Sequence, residues 1–340
     1  GTLTASRDNN MIISDEQGIK IISKDSVEEL TLTKIPEDLV TKPTLVWLAK
    51  SDKDFNPLCQ VTYTTEQLNW DADYSVILSG DETKLDFTGW VTIANRSGTA
   101  YKNASIKLIA GDVRRIQPKR PQMYQQEMMM KADTVAGRGF QEKAFMEYHM
   151  YTLGRKSDIN NNQVKQIEFI EPAQDVNVTK IYIFNRQQKP DKIQIKLEFE
   201  NREDNNLGIP LPQGKVRVFK KDPADEMLEF VGEDTIDHTP VKEKLSLYIG
   251  NAFDIVPEYK MLNSESSRRR RVQTHQVELR NRKDEDVTIL VDENFSPWMN
   301  WQITNTSHDY EKKDASTARF KIPVKADSTK TLTYTTIETW

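Results

Sequence analysis

Four consecutive arginines, Arg268 to Arg271, stand together in a chain whose formal net charge is -5. They lie in SESSRRRRVQTHQVELRNRK, where a polar stretch precedes alternating apolar and polar residues, so the run is predicted to span a hairpin loop and a strand start. Guanidinium groups bind carboxylate, sulfate and phosphate groups through paired hydrogen bonds. The run is therefore a candidate contact for an anionic partner, and a solvated loop end is the alternative interpretation.

Tryptophans form a second candidate contact. Trp298 and Trp301, in FSPWMNWQITN, lie around a predicted turn. Their indole faces are large and apolar and can pack on sugar rings or on another protein. Trp90, in FTGWVTIAN, alternates with apolar residues and is instead expected in the core. The possible partner contacts are thus Arg268, Arg269, Arg270, Arg271, Trp298 and Trp301.

Residues for catalysis or for a cofactor are not identifiable from the sequence. The nucleophile-elbow, phosphate-loop, dinucleotide-binding, zinc-peptidase and paired-cysteine motifs are absent. The four histidines lie far apart, and the single cysteine, Cys59, begins a predicted strand and is expected to be buried. A glycosidase needs two carboxylates that flank one sugar bond, but acidic residues are too frequent here to single out a pair. We predict no catalytic residue, no metal and no cofactor.

The elements that position these residues are predicted to be β-strands. Segments such as ADYSVILSG, KIQIKLEFE and DVTILVDE alternate apolar and polar residues between turn-forming clusters. This pattern favours an all-β chain of two or more antiparallel β-sandwich domains, each with one solvated sheet face. The C-terminal part holds roughly seven strand-like segments in about 100 residues, the size of an immunoglobulin-like sandwich.

Four predicted strands end in Asn-Arg before a polar turn, at Asn95, Asn185, Asn201 and Asn281. Asparagine tolerates turn conformations and hydrogen-bonds nearby backbone, while the arginine is expected along the outer sheet face. The repetition predicts related β-sandwich modules rather than an active site.

Three domains are predicted: a small β segment over residues 1–45 with a hairpin around Gly18, a β-sandwich over 46–238, and the immunoglobulin-like sandwich over 239–340. DHTPVKEK, which contains Pro240, is the expected connector. A Met-rich insertion at about residues 117–143 interrupts the strand pattern of the second domain, and its composition favours a flexible segment.

Composition limits the kinds of binding partner and the cellular location that we expect. The acidic net charge argues against nucleic acid as a partner, since the summed field repels phosphate. No apolar run is long enough to span a membrane, and GTLTASRDNN lacks the profile of a signal peptide. We expect an export signal to be missing from the sequence as given.

Several long, ordered stretches are similar to the domain of unknown function 4139 family, whose members are loosely labelled mucoidy-inhibitor-like. The resemblance runs from about Lys42 to the C-terminus and is carried by KPTLVWLAKS, WDADYSVIL, FTGWVTIANRSGTAYKNASIKLIAGDV, EYHMYTL, LGIPLPQGKVRVF, HTPVKEKLSLYIGNAFD and HDYEKKDASTARFKIPVKADSTKTLTYT. It implies a β-rich fold in bacterial proteins of exported or envelope character, and it implies no catalytic residues. The resemblance also implies that relatives often carry a further N-terminal domain and a coiled-coil region, and the sequence as given is expected to depart from them there.

The preferred hypothesis is a non-catalytic, extracytoplasmic β-sandwich protein that binds a protein or glycan partner at the bacterial cell envelope. The alternative is a hydrolase that acts on envelope polysaccharide through a carboxylate pair. A third hypothesis is nucleic-acid binding through Arg268 to Arg271, but the negative charge of the rest of the chain disfavours it.

Overall fold

The computed structural model describes residues 2–7, 9–27, 44, 46, 48, 50–52, 58–111, 133–135, 140–222 and 224–340. Nearly all of the regular structure there is β, in several mostly antiparallel sheets, which confirms the all-β prediction. The immunoglobulin-like arrangement of residues 239–340 stays a prediction.

The strands alternate with short turns. The first are β1 (Thr2–Arg7), β2 (Asn10–Asp15), β3 (Gly18–Ser23), β4 (Leu68–Leu78), β5 (Lys84–Asn95), β6 (Tyr101–Ala104), β7 (Lys107–Ala110) and β8 (Asp133–Val135). Then follow β9 (Phe140–Phe145), β10 (Tyr148–Leu153), β11 (Ser157–Ile159), β12 (Gln163–Asn177), β13 (Thr179–Phe184), β14 (Gln194–Glu200), β15 (Gly214–Lys221) and β16 (Leu228–Ile236). The last are β17 (Lys244–Asn251), β18 (Ile255–Ser267), β19 (Arg270–Asn281), β20 (Val287–Asn294), β21 (Asn300–Thr304), β22 (Tyr310–Asp314), β23 (Thr317–Val324) and β24 (Ser328–Thr339). Short 3-10 helices cover Lys24–Ser26 and Glu203–Asn205.

The chain divides into two compact units, residues 1–60 and 61–340. In the first unit, β1, β2 and β3 form an antiparallel sheet. Asp15 pairs with Gly18 across the turn between β2 and β3, and its carboxylate accepts a hydrogen bond of 2.9 Å from the Gln17 amide. The hairpin predicted around Gly18 is confirmed.

Three large sheets organise the second unit. The first sheet has the order β16-β15-β4-β5-β12-β8, the second sheet β17-β14-β13-β20-β23-β22, and the four-stranded sheet β18-β19-β24-β21. Most neighbours are antiparallel, while β4 with β15, β8 with β12 and β13 with β20 are parallel. Smaller sheets are β7-β10-β9 and β11-β6.

Two hydrophobic cores lie between these sheets. The first contains inward residues of β4, β5, β12 and β15 together with Leu197 of β14 and Leu247 of β17. The second contains inward residues of β19, β24, β20 and β23 together with Phe184 of β13. The second sheet therefore contributes to both cores.

The domain boundaries stay a prediction. Strand pairing crosses the position proposed near residue 238, because β17 pairs with β14 and β20 pairs with β13. The predicted insertion at about 117–143 lies outside the described residues, apart from the backbone of Asp133–Val135 and the start of β9 at Phe140.

Strand periodicity places Trp90 differently from the prediction. In β5, Phe87, Gly89 and Val91 share the buried side, so Trp90 points to the opposite face of the first sheet and is half-buried. The expectation that Trp90 belongs to the core was wrong, because that interpretation placed the alternation one residue out of phase. The expectation of a buried Cys59 was also wrong, since this residue is exposed and lies outside any strand.

The four Asn-Arg repeats are confirmed as turn structures. Asn95, Asn185, Asn201 and Asn281 are all buried, and each side-chain oxygen accepts a backbone N–H from its own turn. The following arginine was expected along the outer sheet face. Arg186 departs from this, because its guanidinium turns towards the buried carboxylate of Glu293.

Candidate binding surface

The arginine run and the tryptophans lie at one end of the four-stranded sheet. Arg270 pairs with Thr339 of β24, which pairs on its other side with Asn300 of β21. In the next row Arg271, Glu338 and Trp301 lie side by side on β19, β24 and β21. Strand pairing thus brings together segments that are separate in sequence. We call Arg268, Arg269, Arg270, Arg271, Trp298, Trp301 and Trp340 the basic–aromatic end.

Arg271 links the hairpin to the last strand. Its Nη1 lies 3.5 Å from the Glu338 carboxylate, and its guanidinium carbon lies 5.6 Å from the centre of the Trp340 ring. The Trp340 amide also donates a hydrogen bond of 3.3 Å to the Arg269 carbonyl. Trp340 is therefore part of this surface, although its position in the sequence did not indicate it.

The other three arginines of the run are exposed, and within the described part of the chain none of them forms an ion pair. The contrast with their neighbours is clear. From residue 186 onward, all seven other arginines lie within 4.0 Å of a carboxylate: Arg186, Arg202, Arg217, Arg271, Arg280, Arg282 and Arg319. The hairpin tip thus presents positive charge that no described carboxylate pairs with.

The two predicted tryptophans differ in accessibility. Trp298 is 90% exposed. Trp301 stacks on Phe295 with ring centres 4.3 Å apart, the Lys312 ammonium lies 4.5 Å from its ring centre, and its Nε1 donates to the Ala315 carbonyl at 2.7 Å. Trp301 anchors the chain around β21, while Trp298 offers a free indole face.

Beneath this end, polar side chains form a buried network in the second core. The Arg186 guanidinium donates to both oxygens of the Glu293 carboxylate, and the Tyr334 hydroxyl donates to the same carboxylate at 2.6 Å. His275 lies within hydrogen-bond distance of the Tyr259 hydroxyl at 2.9 Å and the Thr336 hydroxyl at 3.0 Å. Burial lowers the pKa of His275 to about 4, so its ring is neutral at pH 7. These side chains satisfy one another through hydrogen bonds, which fits a structural role.

A second cluster of charges lines two adjoining cavities of about 770 and 230 Å³. Glu82 binds the ammonium groups of Lys180 and Lys220, and Lys283 donates to the Tyr182 hydroxyl at 3.2 Å. Burial opposes the charged form of Glu82, but the hydrogen bonds from both lysines outweigh it and hold its pKa below the usual value. Among the described lining residues, carboxylates outnumber ammonium groups by five to three, so these residues offer no excess positive charge for an anion: Asp81, Glu82, Asp254, Glu285 and Asp286 against Lys180, Lys220 and Lys283.

Acidic residues also occupy the outer face of the first sheet. Asp73 lies beside Trp90 on the neighbouring strand, and Glu168 lies on the other side of Trp90. Burial, and then the charge of Asp73, raise the pKa of Asp71, two residues earlier on the same strand. Asp71 and Asp73 thus place two carboxylates on one sheet face, and a sugar hydrolase requires two carboxylates that flank one bond.

The histidines are dispersed. His149 binds Glu142, His238 accepts the Gln213 amide, and His308 contacts Ser307. Among the residues with described side chains, no group of three or more histidine, cysteine or acidic residues is arranged to hold a metal ion. In the same part of the chain, no helix is long and apolar enough to cross a membrane.

Comparison with known proteins identifies the family. Residues 59–340 match the family model described as Domain of unknown function (DUF4139). The match begins somewhat after Lys42, where the resemblance in the sequence begins, and it covers most of the chain. A search of curated proteins gives no match. The chain therefore belongs to the DUF4139 family.

Proposed function

We propose that this protein is a non-catalytic binding protein of the bacterial cell envelope, which contacts a protein or glycan partner through its basic–aromatic end. One observation carries the proposal: the fold gathers three unpaired arginines and two accessible tryptophans, Trp298 and Trp340, from three separate segments at one end of one sheet. Arginine and tryptophan are enriched at protein contacts because each offers a large surface with directed polar groups.

The charge distribution supports the same role. The whole chain is acidic, with a formal net charge of -5, yet Arg268, Arg269 and Arg270 have no carboxylate partner in the described structure. A local positive surface of this kind attracts anionic groups and orients an approaching partner. The binding function thus depends on a small surface rather than on overall charge.

The proposal also includes the cellular location of the protein and the immunoglobulin-like topology of its C-terminal part. The exported or envelope character that the family resemblance implies supports a place outside the cytoplasm. An immunoglobulin-like sandwich over residues 239–340 suits binding because such folds present loops and turns at their two ends. Cell fractionation of the full-length protein tests the setting, and recovery in the cytoplasm would contradict it.

Sedimentation with isolated, insoluble envelope material tests the binding role. The native chain is expected to sediment with the material. The triple variant R268S/R269S/R270S is expected to stay mostly in the supernatant. Lys325→Ser removes one exposed lysine that pairs with Asp286 and serves as a control for loss of positive charge away from this surface. Equal sedimentation of the native chain and the triple variant would contradict the proposed contact surface.

The second candidate function is hydrolysis of envelope polysaccharide. The raised pKa of Asp71 beside Asp73, on the face that carries Trp90, favours it. Asp71 would act as the general acid, and Asp73, which accepts from Thr92 at 3.2 Å and lies 3.4 Å from Arg217 Nη1, would be the second carboxylate. Release of reducing sugar from envelope material, abolished in both Asp71→Asn and Asp73→Asn, would establish this reading in place of the first.

A further inference from the structure

The hairpin tip has a polar composition besides its arginines. Residues 263–273 include Asn263, Ser264, Ser266, Ser267 and Gln273, and the single aliphatic side chain in this range is Val272. Hydroxyl and amide groups both donate and accept hydrogen bonds, as sugar hydroxyls do. A tip of this composition is poorly suited to enter the apolar part of a lipid layer, which favours large apolar side chains.

Flat apolar faces lie beside these polar groups. Trp298 is 90% exposed and Trp340 is 48% exposed. Trp298 forms no ring stack or hydrogen bond within the described part of the chain. An uncovered indole offers its face to the apolar side of a ring-shaped ligand.

The charges are unevenly distributed across the same surface. Of the four guanidinium groups, that of Arg271 alone pairs with a described carboxylate, Glu338, and the Glu265 carboxylate of the hairpin is already bonded to Asn263 at 3.0 Å. Four adjacent strands end here, so the surface extends about 14 Å across the sheet at about 4.8 Å per strand spacing. A linear ligand with repeated negative charges can contact several of these groups at once.

Resting on the proposed function, we infer that the ligand of the basic–aromatic end is an acidic polysaccharide, a chain of sugar rings that carries carboxylate or sulfate groups. The arginines bind its charges, the serine, asparagine and glutamine side chains bind its hydroxyls, and Trp298 packs on a ring. Charge alone does not account for the uncovered indole, and neutral sugar recognition does not account for three unpaired arginines.

Polymers that differ in charge or in the presence of sugar rings separate the contribution of the arginines from that of Trp298. Calorimetric titration of the full chain uses dextran sulfate, uncharged dextran with the same backbone, polygalacturonate as a carboxylate polymer, and polyphosphate as a polyanion without sugar rings. Dextran sulfate and polygalacturonate are expected to bind at least about tenfold more tightly than dextran or polyphosphate, because only they offer both charge and ring faces. Binding is expected to weaken steeply as salt increases.

Two variants assign the contributions to residues. R268S/R269S/R270S is expected to weaken both acidic polysaccharides about tenfold or more and to reduce the salt dependence. Trp298→Ala is expected to weaken them several-fold while leaving polyphosphate binding unchanged. Trp298 is exposed, so this substitution leaves the fold intact, and unfolding curves of each variant check this. Lys325→Ser is the control, which should change neither the affinity for acidic polysaccharides nor the affinity for polyphosphate.

The outcomes distinguish this inference from the proposed function. Polyphosphate, an oligonucleotide or phosphatidylglycerol vesicles binding as tightly as dextran sulfate, with no effect of Trp298→Ala, would overturn the polysaccharide ligand. The contact surface would then still hold if the triple variant lost its sedimentation with envelope material. If the triple variant sedimented normally, the proposed function would fail together with the inference.

Discussion

Asn95 and Asn281 make the same hydrogen bonds at equivalent places in two different sheets. At Asn95 the side-chain nitrogen donates to the Thr99 carbonyl at 2.8 Å and to the Asn160 carbonyl at 2.9 Å. Its oxygen accepts the Ser97 amide at 3.1 Å. The side chain thereby closes its own turn and ties that turn to a distant segment.

The Asn281 side chain makes the corresponding hydrogen bonds with different residues. The nitrogen donates to the Glu285 carbonyl at 2.8 Å and to the Lys325 carbonyl at 3.0 Å, and the oxygen accepts the Lys283 amide at 3.1 Å. Each asparagine ends the second strand of a hairpin, and that strand lies between the first strand and a later one: β4-β5-β12 and β18-β19-β24. Each of these sheets thus holds a hairpin whose second strand ends in an asparagine with the same hydrogen bonds. Related β-sandwich modules stay a prediction.

Replacing Asn281 should reveal how much this bonding stabilises the fold. Asn281→Ala leaves buried carbonyl and amide groups without partners, so the free energy of unfolding should fall by about 2–3 kcal/mol. Urea unfolding measures it. Asn69→Ala, at an exposed position of β4, should change the value by less than about 0.5 kcal/mol. Equal small effects at both sites would contradict the structural role of the repeated asparagine.

The buried carboxylate of Glu293 should be sensitive to loss of its charge. The Glu293 side chain is 2% exposed and carries bonds from Arg186 and Tyr334. Glu293→Gln leaves the Arg186 charge uncompensated, so unfolding should become easier by about 3 kcal/mol. Asp286→Asn, which breaks the exposed pair with Lys325, should cost less than about 0.5 kcal/mol. A Glu293→Gln variant as stable as Asp286→Asn would refute the buried pair.

His275 should make stability depend on pH. Its pKa is lowered from 6.5 to about 4 in the folded protein, so between these values the unfolded chain binds more protons. Stability from this group is therefore complete above pH 6.5 and is lost as the pH falls towards 4, by about 3 kcal/mol in all. Denaturant unfolding from pH 7.5 to 4.5 measures the slope.

His275→Gln is the comparison for this prediction. Glutamine does not titrate, so the variant should lose the contribution of His275 to the pH dependence of the free energy of unfolding between pH 6.5 and 4. The contribution of the carboxylates at lower pH should remain. An identical slope in both proteins would show that His275 is not buried in its neutral form.

Three glycines should differ in their tolerance of alanine. A Cβ at Gly214 would lie 2.3 Å from the Ala72 carbonyl oxygen, and one at Gly89 would lie 2.8 Å from the Ile170 side-chain end. Backbone cannot move as a side chain can, so Gly214→Ala should cost about 3 kcal/mol and Gly89→Ala about 1 kcal/mol. Gly80, with nothing within 4 Å, provides the control. A reversed order in thermal unfolding would contradict the close approach of β4 and β15.

Local patterns predicted much of this fold. Alternation identified the strands, and Gly18 and the Asn-Arg pairs identified turns, because these signals depend on neighbouring residues. The phase at Trp90 was misread because Gly89 carries no apolar side chain to mark the buried face. The second sheet, which combines β13 and β14 with β20 and β23, depends on pairings distant in sequence, which periodicity does not encode.

The candidate surface was predicted only in part. The arginine run and Trp298 were recognisable as exposed, chemically capable groups. Trp340 joins them only through the pairing of β24 with β19, and the core position of His275 depends on Tyr259 and Thr336 from other strands. Such contacts arise from the tertiary fold, so a single sequence carries no local signal for them.

The most direct test of the binding surface is hydroxyl-radical footprinting of the tryptophans in the presence and absence of envelope material. Trp298 should be oxidised several-fold more slowly when the protein is bound, because its 90% exposed ring becomes covered, while Trp90 on the first sheet should be unaffected. Unchanged oxidation of Trp298 together with protection of Trp90 would place the contact on the first sheet and contradict the proposed function.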